Sequence, residues 1–70
     1  MFSEIEQRRL LAGIDQRALC QRAGVHETTY TARKNGRRTL SERTIIKLGK
    51  ALEAMIAEKR EALDSAEGRR

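Results

Sequence analysis

The centre of the chain, residues 13–36, reads GIDQRALCQRAGVHETTYTARKNG and contains three glycines at places where helices should end. Asp15 can cap a helix over residues 16–23, because its carboxylate accepts from the free backbone N–H groups of a first helical turn. Gly24 favours the left-handed conformation that closes such a helix. This stretch therefore predicts a short helix followed by a tight turn.

A second short helix follows the turn. It is predicted to begin at His26 or Glu27 and to end at about Lys34, with Asn35 and Gly36 forming a left-handed exit. Two short helices joined by a glycine-containing turn form a helix-turn-helix arrangement, in which the first helix is buried and the second projects from the surface.

Helices are also predicted on both sides of this centre. Before it, Ser3 and Glu6 form a capping-box pattern that predicts a helix over Ser3–Ala12, with Gly13 as its end. After it, Thr39 and Glu42 form a second capping-box pattern that starts a long last helix. The apolar stripe of that helix consists of Ile45, Leu48, Leu52, Met55, Ile56 and Leu63. Leu40 is the expected inward anchor of the preceding loop, and residues 68–70 are expected to fray.

Composition and charge exclude several classes of protein. The 70 residues include no proline and carry 15 basic and 10 acidic side chains; residues 1–52 hold eleven of the basic and five of the acidic ones, a net charge of +6. A single Cys20 and a single His26 cannot form an internal disulfide or a structural zinc site. No run of about 18 apolar residues and no signal-peptide pattern occurs. We therefore expect a cytoplasmic all-α protein with an anionic partner and no cofactor or metal. We expect no enzymatic activity, since the sequence contains no phosphate loop, metal cluster or catalytic triad.

Two segments carry a family resemblance. Residues 13–25, GIDQRALCQRAGV, and residues 44–52, TIIKLGKAL, resemble the lambda-repressor-like, Cro/XRE helix-turn-helix family, and the resemblance spans roughly residues 5–52. It implies an all-α lambda-repressor-like bundle of four to five helices, here with an extended C-terminal helix. It further implies a DNA-binding transcription regulator, expected to be a repressor, with residues 1–56 as the DNA-binding domain and residues 57–70 as a helical extension and tail.

The resemblance also implies which residues contact double-stranded DNA. In that family the glutamine that starts the second helix contacts phosphate and supports the reading helix, and this position is Gln16 here. Together with the chemistry of the third helix and its cationic exit, this predicts two sets. The base-reading set is Glu27, Thr28, Thr31 and Ala32. The phosphate-binding set is Gln16, His26, Arg33, Lys34, Asn35, Arg37 and Arg38.

Two interpretations stay open for several residues of this region. Glu27 can accept from cytosine N4 or only complement the helix dipole, and His26 can contact a phosphate or cap the helix. Tyr30 and Cys20 are expected in the core, in preference to roles as a base-stacking ring and a redox sensor. Either the third helix rolls slightly at Arg33, or the Arg33 stem lies along Tyr30 with its charged end in solvent or at a phosphate.

The apolar stripe of the last helix also has two interpretations. A single small domain has a limited DNA interface, so a homodimer on a palindromic site is expected. The residues expected to pair are Leu52, Met55, Ile56 and Leu63. The same residues can instead cover the core of one copy. The alternative function is a protein-interaction module, such as an antitoxin or a phage-type regulator, that captures another protein with this helix.

Overall fold

The computed structural model describes residues 1–67 and contains four α-helices, with no strand among those residues. The helices are α1 (Phe2–Ala12), α2 (Gln16–Ala23), α3 (Glu27–Lys34) and α4 (Glu42–Glu67). The all-α prediction with an extended last helix is therefore confirmed, with four helices. The predicted fraying of Gly68, Arg69 and Arg70 lies outside the described residues.

The helix ends around α2 and α3 follow from local residue chemistry. Asp15 caps α2 as predicted, since its carboxylate accepts from the Ala18 N–H at 3.3 Å. Gly24 has a φ of 73° and ends α2 in the left-handed conformation, which costs glycine nothing because it has no Cβ. Gly36, with a φ of 74°, closes α3 in the same way, whereas Asn35 stays at negative φ.

The two predicted capping boxes are wrong. α1 begins one residue earlier than expected, so Ser3 lies inside the helix, and the Glu6 carboxylate bonds Arg9 and Tyr30 instead of a backbone N–H group. The residue before α1 makes no side-chain cap.

At the start of α4 the capping residue is Ser41 and not Thr39. The Ser41 Oγ accepts from the Thr44 N–H at 3.1 Å, which places the first turn two residues later than a Thr39 cap would require.

The core lies where α1, α2 and α4 meet, and Tyr30 reaches into it from α3. Its fully buried side chains are Leu19, Cys20, Tyr30, Leu48 and Leu52, and it is completed by Phe2, Ile5, Ile14 and Ala51. The predicted burial of Tyr30 and Cys20 is confirmed, and burial raises the pKa of the Cys20 thiol. Leu40 packs against this core as expected.

α4 is much longer than the body it packs against. At about 1.5 Å per residue its 26 residues span roughly 39 Å, and the molecule measures 49 × 18 × 18 Å. Residues 57–66 are exposed. Within the part of the chain that the structure describes, none of the helices has the length and apolar content of a membrane span.

Candidate nucleic-acid interface

α2 and α3 are joined by the three residues Gly24, Val25 and His26, which turn the chain within a very short distance. The Val25 N–H donates to the Cys20 carbonyl at 2.9 Å, and the Val25 side chain packs against the core. The turn is therefore fixed both by its backbone and by its one apolar side chain, and it holds α3 in a single orientation on α2.

α3 has one buried side and one open side. Tyr30 lies on the buried side with 0% exposure. On the open side Glu27, Thr28 and Thr31 line one shallow hollow together with Arg37 from the following loop. Three of the four predicted base-reading residues thus converge with a predicted phosphate-binding residue, whereas the fourth, Ala32, is half-buried and does not line the hollow.

Gln16 links the start of α2 to the outer side of α3. Its Nε2 donates to Thr31 Oγ1 at 2.9 Å and to a Glu27 carboxylate oxygen at 3.4 Å. Its Oε1 accepts from Lys34 Nζ at 2.7 Å. Arg17 Nε lies 4.0 Å from the other Glu27 oxygen. These side chains form a polar network at the surface, where each bond can be exchanged for a bond to water or to a ligand.

Cations lie at the exit of α3. The Arg37 N–H donates to the Ala32 carbonyl at 2.9 Å, which fixes the loop against the last turn of the helix. The side chains of Arg37 and Arg38 are exposed, and neither forms an ion pair within residues 1–67. Asn35 is the C-cap residue and is also exposed. The exit therefore presents two uncompensated positive charges beside the hollow.

The position of Arg33 differs from the prediction. Its guanidinium carbon lies 4.8 Å from the centroid of the Phe2 ring, and that ring is 4.9 Å from the ring of Tyr30. The charged end is thus held over an aromatic face of α1 by a cation–π contact. The expectation of a free charged end is corrected, because the guanidinium lies over the Phe2 ring.

His26 occupies the N-cap position of α3, but its side chain makes no capping hydrogen bond. His26 is therefore the N-cap by its backbone, whose carbonyl accepts from the Tyr30 N–H at 3.2 Å, and a cap through its side chain is not formed. The imidazole is exposed, and its role at a phosphate stays a prediction.

A polar cluster on the inner side of α3 was missed by the sequence analysis, in which Arg9 was only one of the eleven basic residues counted in positions 1–52. Arg9 is only 7% exposed. Its guanidinium donates twice to the Glu6 carboxylate, at 2.8 and 3.0 Å, and once to the Ile14 carbonyl at 2.8 Å. The Tyr30 hydroxyl donates to the same carboxylate at 2.6 Å. The spacing of Phe2, Ile5 and Arg9 along one side of α1 was the signal that could have placed this arginine inward.

The pKa values of this cluster reflect the competition between burial and pairing. Burial alone would raise the pKa of Glu6, but the hydrogen bonds from Arg9 and Tyr30 and the Arg9 charge outweigh it, so this pKa lies below its usual range. Burial, followed by the hydrogen bond to Glu6, raises the pKa of Tyr30. The cluster therefore holds a carboxylate, a guanidinium and a neutral phenol at neutral pH.

The predicted pairing stripe is only partly on the surface. Leu52 is 0% exposed and faces the core of its own chain, so its assignment to a pairing surface is wrong. Met55 and Ile56 are half-buried against the same core. Leu63 is 63% exposed on the part of α4 that projects beyond the body.

Comparison with known proteins agrees with this geometry. No curated protein and no solved structure matches the chain. Residues 5–54 match the family model described as Helix-turn-helix, of the Cro/C1 type. That match covers most of the chain, from the first turns of α1 to the middle of α4. The chain therefore belongs to the Cro/C1-type helix-turn-helix family of DNA-binding regulators.

Proposed function

We propose that this protein is a sequence-specific double-stranded DNA-binding repressor that inserts α3 into the major groove as a homodimer. The observation that carries the proposal is the open side of α3, where Glu27, Thr28, Thr31 and Arg37 share one hollow while Tyr30 anchors the opposite side in the core. A major groove about 12 Å wide admits an α-helix held in this way.

Base recognition is assigned to Glu27, Thr28, Thr31 and Ala32. Glu27 stands in the first turn of α3, and first-turn residues of an inserted helix meet base edges. Its carboxylate can accept from cytosine N4, and threonine can contact bases or the thymine methyl. The 3.4 Å hydrogen bond from Gln16 to Glu27 is long and exposed, so Glu27 can exchange it for a hydrogen bond to a base.

Phosphate contacts are assigned to the residues that surround this helix: Gln16, His26, Arg33, Lys34, Asn35, Arg37 and Arg38. The two exposed arginines of the α3 exit contribute most, because they have no internal ion pair within residues 1–67 and neutralising phosphates releases counterions. Arg33 contributes least, since its guanidinium is already stacked on Phe2.

The dimer follows from the size of the interface. One small domain covers less DNA surface than tight specific binding usually requires, and two copies on a palindromic site double it. Met55, Ile56 and Leu63 are the candidates for the contact between copies. Occupancy of an operator by such a pair is enough to exclude other proteins from it, which is why we assign repression.

Selection of bound sequences from a random duplex pool tests this function. We expect a palindromic motif, and we expect Glu27→Gln and Thr28→Ala to change the preferred base at defined positions. Glu61→Gln, which alters a carboxylate on the exposed end of α4, should leave the motif unchanged. A pool without enrichment would contradict the proposal and favour the interaction-module alternative.

The salt dependence of binding tests the phosphate contacts. The double variant Arg37→Ala, Arg38→Ala should weaken binding to all duplexes and reduce the slope of log affinity against log salt by up to about two. Arg60→Ala removes an exposed cation from α4 and should leave the slope unchanged. An unchanged slope in the double variant would show that neither arginine contacts the phosphates of the DNA.

A further inference from the structure

One face of the molecule, built from α1 and α4, is open and is not used by the proposed DNA interface. The start of α1 borders a surface hollow with residues 45–53 of α4, and Ala12 at its end borders a second hollow with residues 56–63. The two helices therefore run in broadly the same direction along a shared seam. We call this seam the α1/α4 face; it contains no residue of α2 or α3.

The first hollow is apolar at its base and open to solvent above it. Ile5 lies buried at the bottom, and Ile46 at the side is 45% exposed. Gly49 lies between them on α4, and a Cβ there would meet no atom of another element within 4 Å among the described residues. A glycine inside a helix lowers helix stability. Here its effect is to leave a depression that an apolar side chain of a partner can fill.

The second hollow continues the same surface towards the end of α4. It is bordered by Ala12, Ile56 and Leu63, and Leu63 is 63% exposed. Gly49, Ile56 and Leu63 recur every seven residues, so they lie along one side of the helix. The apolar surface thus extends along the seam from one hollow to the other.

The charges around the first hollow indicate what covers it. Glu4 and Arg8 stand on its α1 border, and Lys50 and Glu53 stand on its α4 border, all of them exposed. Among the described residues Arg8, Lys50 and Glu53 form no ion pair. Because the helices run in the same direction, the charges follow opposite orders along the two borders. On α1 the negative Glu4 comes before the positive Arg8, and on α4 the positive Lys50 comes before the negative Glu53.

This arrangement is a checkerboard, and a checkerboard is complementary to itself. In a two-fold dimer each surface meets its own copy. If the α1 of one copy lies over the α4 of the other, Glu4 meets Lys50 and Arg8 meets Glu53. If each helix lies over its own equivalent, Glu4 meets Arg8 and Lys50 meets Glu53. Every corner therefore meets an opposite charge in both orientations, which favours a second copy over an unrelated partner.

We propose that a second copy of this chain docks on the α1/α4 face, with the hollow at Gly49 at the centre of the contact. The inference deepens the homodimer of the proposed function and rests on it: it gives that homodimer a surface, with Leu63 at the far end. Both copies keep α3 uncovered, since the face excludes it. Association is a property of the protein without DNA, so it is measured separately from DNA binding.

Sedimentation equilibrium of the intact chain, without DNA, is the first test. We expect a dimer, and we expect Gly49→Gln to weaken it by about tenfold or more because the side chain fills the hollow. At a dilution where both chains are monomeric, the same substitution should leave the unfolding temperature unchanged or raise it, since glutamine is a better helix former than glycine. Leu10→Gln changes an apolar residue that is 60% exposed beside Arg33 and not at this face, and it should leave association unchanged.

Charge exchange is the second test. Arg8→Glu alone should weaken association, because the new carboxylate meets Glu53 or Glu4 of the other copy. Adding Glu53→Arg restores the pattern if α1 lies over α4, whereas adding Glu4→Arg restores it if α1 lies over α1. Recovery by one of these two pairs confirms the face and identifies the orientation.

A monomer at every concentration tested, or a dimer that neither Gly49→Gln nor Arg8→Glu weakens, would overturn the proposal. Binding of the same variants to a duplex with a single half-site is measured in parallel. If the unmodified chain did not bind the half-site, the proposed DNA function would be overturned and the proposed dimer face would not. Failure of the DNA function can therefore be distinguished from failure of the dimer face.

Discussion

Two polar clusters hold α3 from opposite sides, and they use the same kinds of side chain in opposite ways. The inner cluster consists of Glu6, Arg9 and Tyr30, and the outer cluster consists of Gln16, Glu27, Thr31 and Lys34. In the inner cluster Arg9 is 7% exposed and the carboxylate accepts from both partners. In the outer cluster Glu27 and Lys34 are exposed, and Gln16 and Thr31 are half-buried.

Burial accounts for the difference between the clusters. A buried charge that loses its partner cannot be solvated by water, so the inner cluster has one stable arrangement. An exposed side chain replaces a lost partner with water at little cost. The inner cluster therefore fixes the position of α3, and the outer cluster keeps side chains that can change partners when a ligand arrives.

The largest effect is expected from breaking the inner cluster at Arg9. Arg9→Met keeps the apolar stem but leaves the half-buried Glu6 carboxylate without its cation and the Ile14 carbonyl without its side-chain donor. We expect the free energy of unfolding to fall by about 3 kcal/mol, as measured by urea unfolding. Arg43→Met, at an exposed arginine of α4 outside the α1/α4 face, should change it by no more than about 0.5 kcal/mol. Equal effects of the two variants would contradict the comparison.

A smaller loss is expected when only the tyrosine hydroxyl is removed. Tyr30→Phe keeps the ring in the core, and Glu6 keeps its two bonds from Arg9. We expect a loss of about 1 to 2 kcal/mol of unfolding free energy, the cost of one buried hydrogen bond to a charged group. If Tyr30→Phe left the unfolding free energy unchanged, Arg9 alone would satisfy this carboxylate.

Acid should weaken the inner cluster in a defined direction. Because the folded pKa of Glu6 lies below its unfolded value, its stabilising contribution is complete above the ordinary glutamate pKa of about 4.3 and is lost as pH falls through the folded value. The unfolding temperature should therefore drop below about pH 4, and Glu6→Gln should flatten that drop. Glu61→Gln, at an exposed carboxylate of α4 outside the α1/α4 face, should keep the drop. A drop that Glu6→Gln leaves unchanged would assign it to other groups.

The smallest effect on stability is expected in the outer cluster. Gln16→Ala removes three hydrogen bonds, yet Glu27 and Lys34 are exposed and Thr31 is only half-buried, so the unfolding free energy should change by no more than about 0.5 kcal/mol. Affinity for DNA should fall for all sequences alike, as measured by titration of a labelled duplex. Gln21→Ala, at an exposed position of the same helix, should change neither quantity. A large loss of stability in Gln16→Ala would show that the outer cluster is structural.

Much of the candidate site follows from helical spacing and could be predicted. Glu27, Thr28 and Thr31 come to one hollow because residues one turn apart share a side of a helix. Arg37 joins them because Gly36 turns the chain back over the last turn. The contact of these residues with DNA stays a prediction.

Other features were beyond the reach of sequence patterns. A count of charges includes Arg9 among the surface cations, and only packing shows that its charge is internal. The apolar stripe of α4 contains Leu52 and Leu63 at equivalent helical positions, yet one is buried and the other is exposed because the body ends between them. A capping-box pattern at Ser3 is equally misleading, since Glu6 has a stronger partner in Arg9.

The amino-acid sequence by itself determined the helices, the turns at Gly24 and Gly36 and the family, because these depend on interactions among residues a few positions apart. Tertiary structure alone decided which polar groups are buried and which stay exposed. Tyr30 meets Glu6 across 24 positions and Gln16 meets Thr31 across 15, and contacts at such separations exist only after the apolar core has brought the helices together.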